Sequence, residues 1–169
     1  MRERLAPHGA RRTHEFETFV AGAAGRLLHA ATLLTAEPQD DNPRARRLLT
    51  LALAHTYACW QRLHGEDPYE HARRYLATRF AHGAWHHRGG IATRPGGARP
   101  HGPLARLTPH ERLILVLRLY EGVGEEQVAA LLGLPLERVR TVCDRATATL
   151  LHPPRSPARA VGRAGVAPS

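Results

Sequence analysis

The chain of 169 residues lacks the features that membrane, secreted and disulfide-rich proteins need. No apolar run approaches the roughly 20 residues of a membrane-spanning helix, so we expect no membrane partner. The basic N-terminus is not followed by the apolar segment of a secretory signal, which favours a cytoplasmic location. The two cysteines, Cys59 and Cys143, lie in separate helical patterns. We therefore expect buried thiols, not a disulfide framework or a zinc knuckle.

Lysine is absent, and all 24 basic residues are arginines. With abundant alanine, glycine and proline, this composition is typical of a GC-rich coding bias, so the net charge of +9 is weak support for nucleic-acid binding. The excess of arginine lies in residues 1–13, 88–103 and 152–169, whereas residues 14–87 and 104–151 each balance to zero. Such basic segments either strengthen nonspecific contact with phosphate or act as solvated linkers and tails.

A segment rich in glycine and proline divides the chain. Residues 88–103 contain five glycines and three prolines, a composition that is incompatible with a regular element. We predict an all-α protein of two small helical modules joined by a flexible linker. Its parts are a basic flexible N-terminus (1–13), a first helical domain (14–87), the linker (88–103), a second helical domain (104–151) and a disordered basic tail (152–169).

Three helical patterns fill the first domain. They run from about His14 to Leu34, from about Arg44 to Leu63, and from Pro68 to the histidines at 86 and 87. The third opens with Asp67 as N-cap and an acid at the third helical position. Apolar and aromatic side chains recur on one face of each helix, and we expect them to form a shared core. They are Phe16, Phe19, Val20, Ala23, Leu27, Ala31, Leu34, Leu48, Leu49, Ala52, Leu53, Tyr57, Trp60, Tyr69, Ala72, Tyr75, Leu76 and Phe80.

The second domain contains the pattern of a helix-turn-helix. Thr108 and Glu111 form a capping box at the start of its first helix, which ends at Gly122. The stretch EEQVAALLGLPLERVRTVCDRA, residues 125–146, then predicts two short helices that meet at Gly133. A small residue at 129 allows the second helix to cross above it, and Gly133 supplies the left-handed turn. The seven positions that match the motif are Val128, Ala129, Leu132, Gly133, Leu134, Val139 and Val142. This spacing favours a helix-turn-helix over an unrelated helical hairpin.

The outer face of the second helix of this motif carries the candidate DNA-binding residues. In a helix-turn-helix, this face enters the major groove, where arginine binds guanine or phosphate. The candidates are Arg138, Arg140, Thr141, Asp144 and Arg145, with Glu137 beside them. The two carboxylates oppose contact with phosphate. The alternative interpretation is a solvated face held by internal ion pairs.

The second domain resembles region 4 of the extracytoplasmic-function sigma factors of bacterial RNA polymerase, over LTPHERLILVLRLYEGVGEEQVAALLGLPLERVRTVCDRATATL. The first domain resembles region 2 of the actinobacterial form: EFETFVAGAAGRLLHAATLLT is similar to its opening helix and DPYEHARRYLATRF to its promoter-facing helix. The resemblance implies promoter DNA and core RNA polymerase as partners, with an anti-sigma or other regulatory protein as a further one. It also implies that Arg73 and Arg74 contact promoter DNA.

The polymerase-binding helix departs from the family pattern. Aligned on Tyr57 and Trp60, the family's acidic pair is replaced by Arg46 and Arg47, and its Gln-Glu pair by Thr50 and Leu51. These four positions are the candidate polymerase-binding residues. Because arginine reverses the charge offered to the polymerase, we predict weakened binding. The alternative is a divergent DNA-binding or protein-binding regulator that no longer engages the polymerase clamp normally.

A metal site or an enzyme is a third hypothesis, for which the sequence HGAWHH is the only cluster. His82 and His86 share a helix face and His87 is adjacent, but no acid or cysteine nearby supplies another ligand at useful spacing. The sequence shows neither a Gly-rich phosphate loop nor a nucleophile beside a base. We therefore predict no catalytic activity, no cofactor and no metal.

Overall fold

The computed structural model describes residues 5–63, 65–86 and 100–152, and every regular element in these ranges is helical. The helices are α1 (Leu5–Thr35), α2 (Pro43–Cys59), α3 (Pro68–His86), α4 (Pro109–Leu115), α5 (Glu125–Leu132) and α6 (Leu136–Leu151). Short 3₁₀ turns lie at Trp60–Arg62 and Pro103–Arg106, and α4 continues as a π-helical segment at Val116–Tyr120. The all-α fold of two helical modules, α1–α3 and α4–α6, is confirmed. Most of the predicted linker and tail lies outside the described residues. None of the described helices has both the length and the apolar character to cross a bilayer.

Helix α1 begins at Leu5, nine residues before the predicted start, so the interpretation of residues 5–13 as a flexible segment was wrong. Two kinds of contact account for the longer helix. Arg11 pairs with Glu15 one turn further on, at 3.0 Å. The guanidinium of Arg12 lies 4.2 Å from the ring centroid of Tyr57, a residue of α2. The second contact comes from a distant part of the chain, and local sequence patterns do not reveal it.

The predicted core of the first module is confirmed for eight residues, whereas Val20, Leu48, Leu49 and Leu53 are only half-buried. The buried members are Ala23, Leu27, Ala31, Leu34, Ala52, Ala72, Leu76 and Phe80. The aromatic residues at one edge are only half-buried and pack on each other, with the rings of Phe16 and Trp60 5.2 Å apart. The three helices therefore share a core, and its aromatic edge is accessible to solvent.

The N-terminus of α2 is capped by a buried carboxylate from the preceding loop. The two carboxylate oxygens of Glu37 accept hydrogen bonds from the backbone N–H groups of Arg44, at 3.2 Å, and Ala45, at 2.9 Å. Asn42 occupies the N-cap position, but its side chain donates instead to the hydroxyl of Thr32 at 3.2 Å. Glu37 thus satisfies N–H groups that the helix cannot pair internally, and its charge opposes the positive end of the helix dipole.

Replacing Glu37 with alanine is expected to lower the free energy of unfolding by about 1–2 kcal/mol, because two N–H groups at the start of α2, one of them buried, lose their acceptor. Urea denaturation followed by circular dichroism measures the effect. Glu17→Ala, at an exposed acidic position of α1, is the control. Equal midpoints for the two variants would show that Glu37 does not cap α2.

The two modules pack against each other through one buried apolar cluster. It includes Leu34 of α1 and Leu76 of α3 from the first module, together with Leu113 and Ile114 of α4 from the second. At its edge the ring of His29 stacks on Tyr120, with centroids 5.1 Å apart. Sequence patterns alone do not set the relative orientation of the two modules. The apolar residues that the modules bury together set it.

A buried carboxylate forms the polar part of this interface. The side chain of Glu121, which follows the π-helical segment, is 1% exposed. It accepts a hydrogen bond from the Tyr69 hydroxyl at 3.0 Å and lies 3.4 Å from Arg26 and 3.9 Å from Arg73. We call these four residues the Glu121 cluster. Burial and then the charge of Glu121 raise the pKa of Tyr69, so its hydroxyl stays a donor. The cluster joins the second module to α1 and α3.

Candidate DNA and polymerase interface

The turn between α5 and α6 has the geometry of a helix-turn-helix. Gly133 adopts the left-handed conformation, with φ 64° and ψ 36°, and the N–H of Leu134 donates to the carbonyl of Ala129 at 2.9 Å. Val128 and Val139 are fully buried where the two helices cross. The predicted motif is confirmed. Pro135 lies one residue before the first helical position of α6 and occupies its N-cap position.

The predicted capping box at the start of α4 is present and also reaches α6. The Thr108 hydroxyl accepts from the N–H of Glu111 at 3.3 Å, and the Glu111 carboxylate accepts from the N–H of Thr108 at 2.8 Å. The same carboxylate pairs with Arg145 at 2.7 Å. Burial alone would raise the pKa of Glu111, but these hydrogen bonds outweigh it and lower the pKa. Glu111 therefore stays charged and ties α6 to α4.

Ion pairs hold one candidate arginine on the outer face of α6. Arg140 pairs with Glu125 of α5 and with Glu137 of its own helix, each at 2.7 Å. The hydrogen bond between Arg140 and Glu125 raises the pKa of Arg140 and lowers the pKa of Glu125. These two ion pairs agree with the interpretation of this face as a solvated surface held by internal ion pairs. The side chain of Arg140 has to break both ion pairs before it can contact DNA.

The other candidates on α6 differ in accessibility. Arg138 is exposed and makes no ion pair with any residue that the structure describes. Thr141 is exposed, and its hydroxyl donates to the carbonyl of Glu137 at 2.8 Å. Asp144 is exposed as well, and Arg145 is exposed but paired with Glu111. Arg138 is therefore the arginine on this face that needs the least rearrangement to bind an anion.

The two arginines assigned to DNA in the first module are engaged with carboxylates. Arg73 is half-buried and lies 3.6 Å from Glu70 and 3.9 Å from Glu121 of the second module. Arg74 is exposed and lies 3.7 Å from Glu70 and 3.9 Å from Glu66. Arg73 thus belongs to the interface between the modules, whereas Arg74 remains at the surface.

The candidate polymerase-binding residues lie near the start of α2. Arg46 is exposed and donates to the side-chain oxygen of Asn42 at 2.9 Å. Arg47 and Thr50 are exposed, and Leu51 is half-buried. The four residues share one accessible stretch of helix, and their role in polymerase binding stays a prediction.

A cleft of about 1200 Å³ lies between the modules and brings several of these residues together. Arg47 and Leu51 line it from α2, and Arg138 and Arg145 line it from α6. The remaining arginines on its walls are Arg44, Arg79 and Arg112. We call it the basic cleft. Part of the candidate DNA-binding face and part of the candidate polymerase-binding face thus border the same space.

Arg112 gives the wall of the basic cleft a buried positive charge. The residue is 4% exposed, and one of its terminal nitrogens donates to the carbonyl of Leu104 at 3.2 Å. Its Nε has no hydrogen-bond partner among the described residues. Burial, followed by the charge of Arg44, lowers the pKa of Arg112 to about 10. A guanidinium in this position favours an anionic partner in the cleft.

Comparison with known proteins agrees with this architecture. The sigma-70 region 4 family matches residues 104–150, which contain the capping box and the helix-turn-helix. The RNA polymerase sigma-E factor of Streptomyces coelicolor is 29% identical over 156 residues, covering 80% of this chain and 84% of that protein. The chain is thus similar to a sigma factor over most of its length. The region 4 match coincides with the second module, and the longer match extends the likeness to the first. No solved structure matches it significantly.

Proposed function

We propose that the chain directs transcription initiation, with α6 binding promoter DNA and α2 binding core RNA polymerase. The observation that carries the proposal is the helix-turn-helix around Gly133, which presents Arg138 and Thr141 on an exposed face within the part that matches sigma-70 region 4. Such a face fits the major groove. The family is non-enzymatic, and we assign no catalytic activity to this chain. We propose that the chain acts in the cytoplasm, where it would bind both polymerase and promoter DNA.

A second candidate function is a sigma-like regulator that binds DNA or protein without normal use of the polymerase clamp. The observation in its favour is the exposed pair Arg46 and Arg47, which replaces the acidic pair of the family. A reversed charge at an interface suppresses binding to the original partner. An anti-sigma or other regulatory protein that is negatively charged is the partner this surface would fit.

In both proposals, the packing of the two modules against each other limits access to α6. Because Arg138 and Arg145 border a cleft whose other wall is α2 and α3, a DNA duplex reaches their whole helix face only when the modules separate. The same opening exposes Arg47 and Leu51 to the polymerase. We therefore propose that engagement of DNA or polymerase replaces the contacts between the modules.

Among single changes on α6, Arg138→Ala is expected to weaken promoter binding most, by about 1–3 kcal/mol if the side chain contacts a base. Arg140→Ala should cost less, because the wild-type side chain must first leave Glu125 and Glu137. Fluorescence anisotropy with a labelled promoter fragment, selected from genomic DNA by the wild-type chain, measures both affinities. Arg106→Ala, an exposed arginine outside α6, is the control. If Arg138→Ala behaves like this control, α6 does not read DNA through Arg138.

Binding of the full chain to purified actinobacterial core polymerase distinguishes the two candidate functions. Saturable binding that a second sigma factor competes away supports transcription initiation. DNA binding in the absence of any polymerase binding supports the regulator. The competition arm is needed because a basic chain also adheres nonspecifically to an acidic partner.

A further inference from the structure

A group of three metal-ligating side chains lies between α2 and α3, outside the surfaces described above. His55 and Cys59 are one turn apart on α2, and His71 lies near the start of α3. Nε2 of His71 is 3.2 Å from Nδ1 of His55, and Sγ of Cys59 is 4.0 Å from Nε2 of His55. One ligand atom from each residue lies within 4.8 Å of the other two, and all three residues are half-buried.

The separation of the two histidine nitrogens is close to that around a tetrahedral zinc ion, and the thiol lies near enough to join them. Zinc binds histidine nitrogen at about 2.0–2.1 Å and thiolate sulfur at about 2.3 Å, which puts two nitrogen ligands about 3.3 Å apart and nitrogen and sulfur about 3.6 Å apart. The two histidines are already at this spacing through Nδ1 of His55. The 4.0 Å contact of Cys59 is to Nε2, the other nitrogen of that ring, so Cys59 or the His55 ring has to move until the thiolate and one nitrogen from each histidine surround the same ion. Two imidazoles and a thiolate form the ligand type that suits zinc better than magnesium or calcium.

The surroundings of the group hold the ligands in place. Oε2 of Glu66 lies 3.4 Å from Nδ1 of His71, the nitrogen that does not face His55. Histidine ligands commonly donate this second N–H to a carboxylate, which fixes the ring and strengthens the ligand. The ring of Tyr75 stacks on His55 with centroids 4.1 Å apart. Arg62, an exposed side chain, donates to Cys59 Sγ at 3.4 Å and has to turn outward when a cation binds.

We propose that His55, Cys59 and His71 bind one zinc ion, with Glu66 orienting His71 and water as the fourth ligand. The bound ion would join the end of α2 to the start of α3, the helix that carries Arg73 and Arg74. This proposal is independent of the assigned function and replaces the expectation that the chain binds no metal. The sequence analysis considered only the histidines at 82, 86 and 87, and His87 lies outside the described residues. The spacing of His55 and Cys59 at i and i+4 was the available signal, but the turn that adds His71 was not predictable from it.

Cobalt is the spectroscopic substitute that tests the proposal on the full, reduced, chelator-treated chain. We expect a thiolate-to-cobalt charge-transfer band and the intense visible bands of tetrahedral cobalt, saturating at one equivalent and removed by zinc. Cys59→Ser and His71→Gln should abolish the charge-transfer band or weaken cobalt affinity at least tenfold, whereas Cys143→Ser should leave it unchanged. Glu66→Gln should weaken affinity by about 10–100-fold.

A measurement on the wild-type chain keeps the test independent of whether these variants fold. Zinc should slow the alkylation of Cys59 at least tenfold, with Cys143 in the same molecule as the reference. Absence of the charge-transfer band together with equal alkylation rates with and without zinc would overturn the proposal. So would a band that survives Cys59→Ser and disappears in Cys143→Ser.

Discussion

Replacing Glu121 with alanine is expected to lower the free energy of unfolding by about 3 kcal/mol and to separate the two modules. The Glu121 carboxylate is 1% exposed and is the common partner of Tyr69, Arg26 and Arg73. Removing one partner of a buried ion pair typically costs about 3–5 kcal/mol, because the remaining charge is left without compensation. Arg26 is half exposed and is hydrated by water in the variant. The expected loss of unfolding free energy therefore lies at the lower end of this range.

Two measurements check this expectation. Urea denaturation gives the loss of stability, and small-angle X-ray scattering reports the larger radius of gyration of the opened chain. Glu126→Ala, an exposed carboxylate on α5, is the control, and Glu121→Gln should fall between it and Glu121→Ala because the amide still accepts from Tyr69. A Glu121→Ala variant with the stability and the radius of its control would show that the cluster does not hold the modules together.

The double change Arg46→Glu with Arg47→Asp is expected to strengthen binding to core RNA polymerase at least tenfold. The two arginines are exposed on α2, at positions where the resemblance to sigma factors leads us to expect acids. Like charges facing each other in an interface cost several kcal/mol, and about 1.4 kcal/mol already corresponds to a tenfold change in affinity. Transcription by the reconstituted enzyme should rise with the affinity.

The charge change needs its own control, because any loss of positive charge alters nonspecific adhesion. The control compares two single variants with the same change in charge: Arg46→Glu on α2 and Arg106→Glu at an exposed position outside α2. Binding titrations at two salt concentrations then separate the local effect from the net charge. The opposite result is tight binding by the wild-type chain and weaker binding by the acidic double variant. It would mean that the polymerase surface facing Arg46 and Arg47 is complementary to arginine, and it would contradict the prediction.

The parts of the fold that sequence patterns predicted are those set by neighbouring residues. Gly133 ends α5 because the left-handed turn is local, and Thr108 with Glu111 starts α4 because a capping box spans four residues. The buried faces followed from helical periodicity. The helix-turn-helix and the positions on its exposed face were accordingly predictable, but the ion pairs of Arg140 with Glu125 and of Arg145 with Glu111 were not.

The parts that were missed depend on residues distant in sequence. Glu121 stands before a glycine with no distinguishing pattern, and its partners Arg26 and Tyr69 belong to the other module. The interpretation of Arg73 as a DNA contact did not anticipate that Glu121 would reach it. Glu37 caps α2 from seven residues away, beyond the range of a capping motif. Such contacts form only when the helices pack, so periodicity and capping rules do not reveal them.

Reconstituted transcription tests the assignment to transcription initiation most directly. The full chain and purified actinobacterial core polymerase are incubated with a pool of genomic fragments, and the 5′ ends of the RNA products are mapped. We expect chain-dependent starts that share an upstream sequence and are reduced by Arg138→Ala. Absence of such starts, with the same core polymerase active when another sigma factor is added, would contradict it.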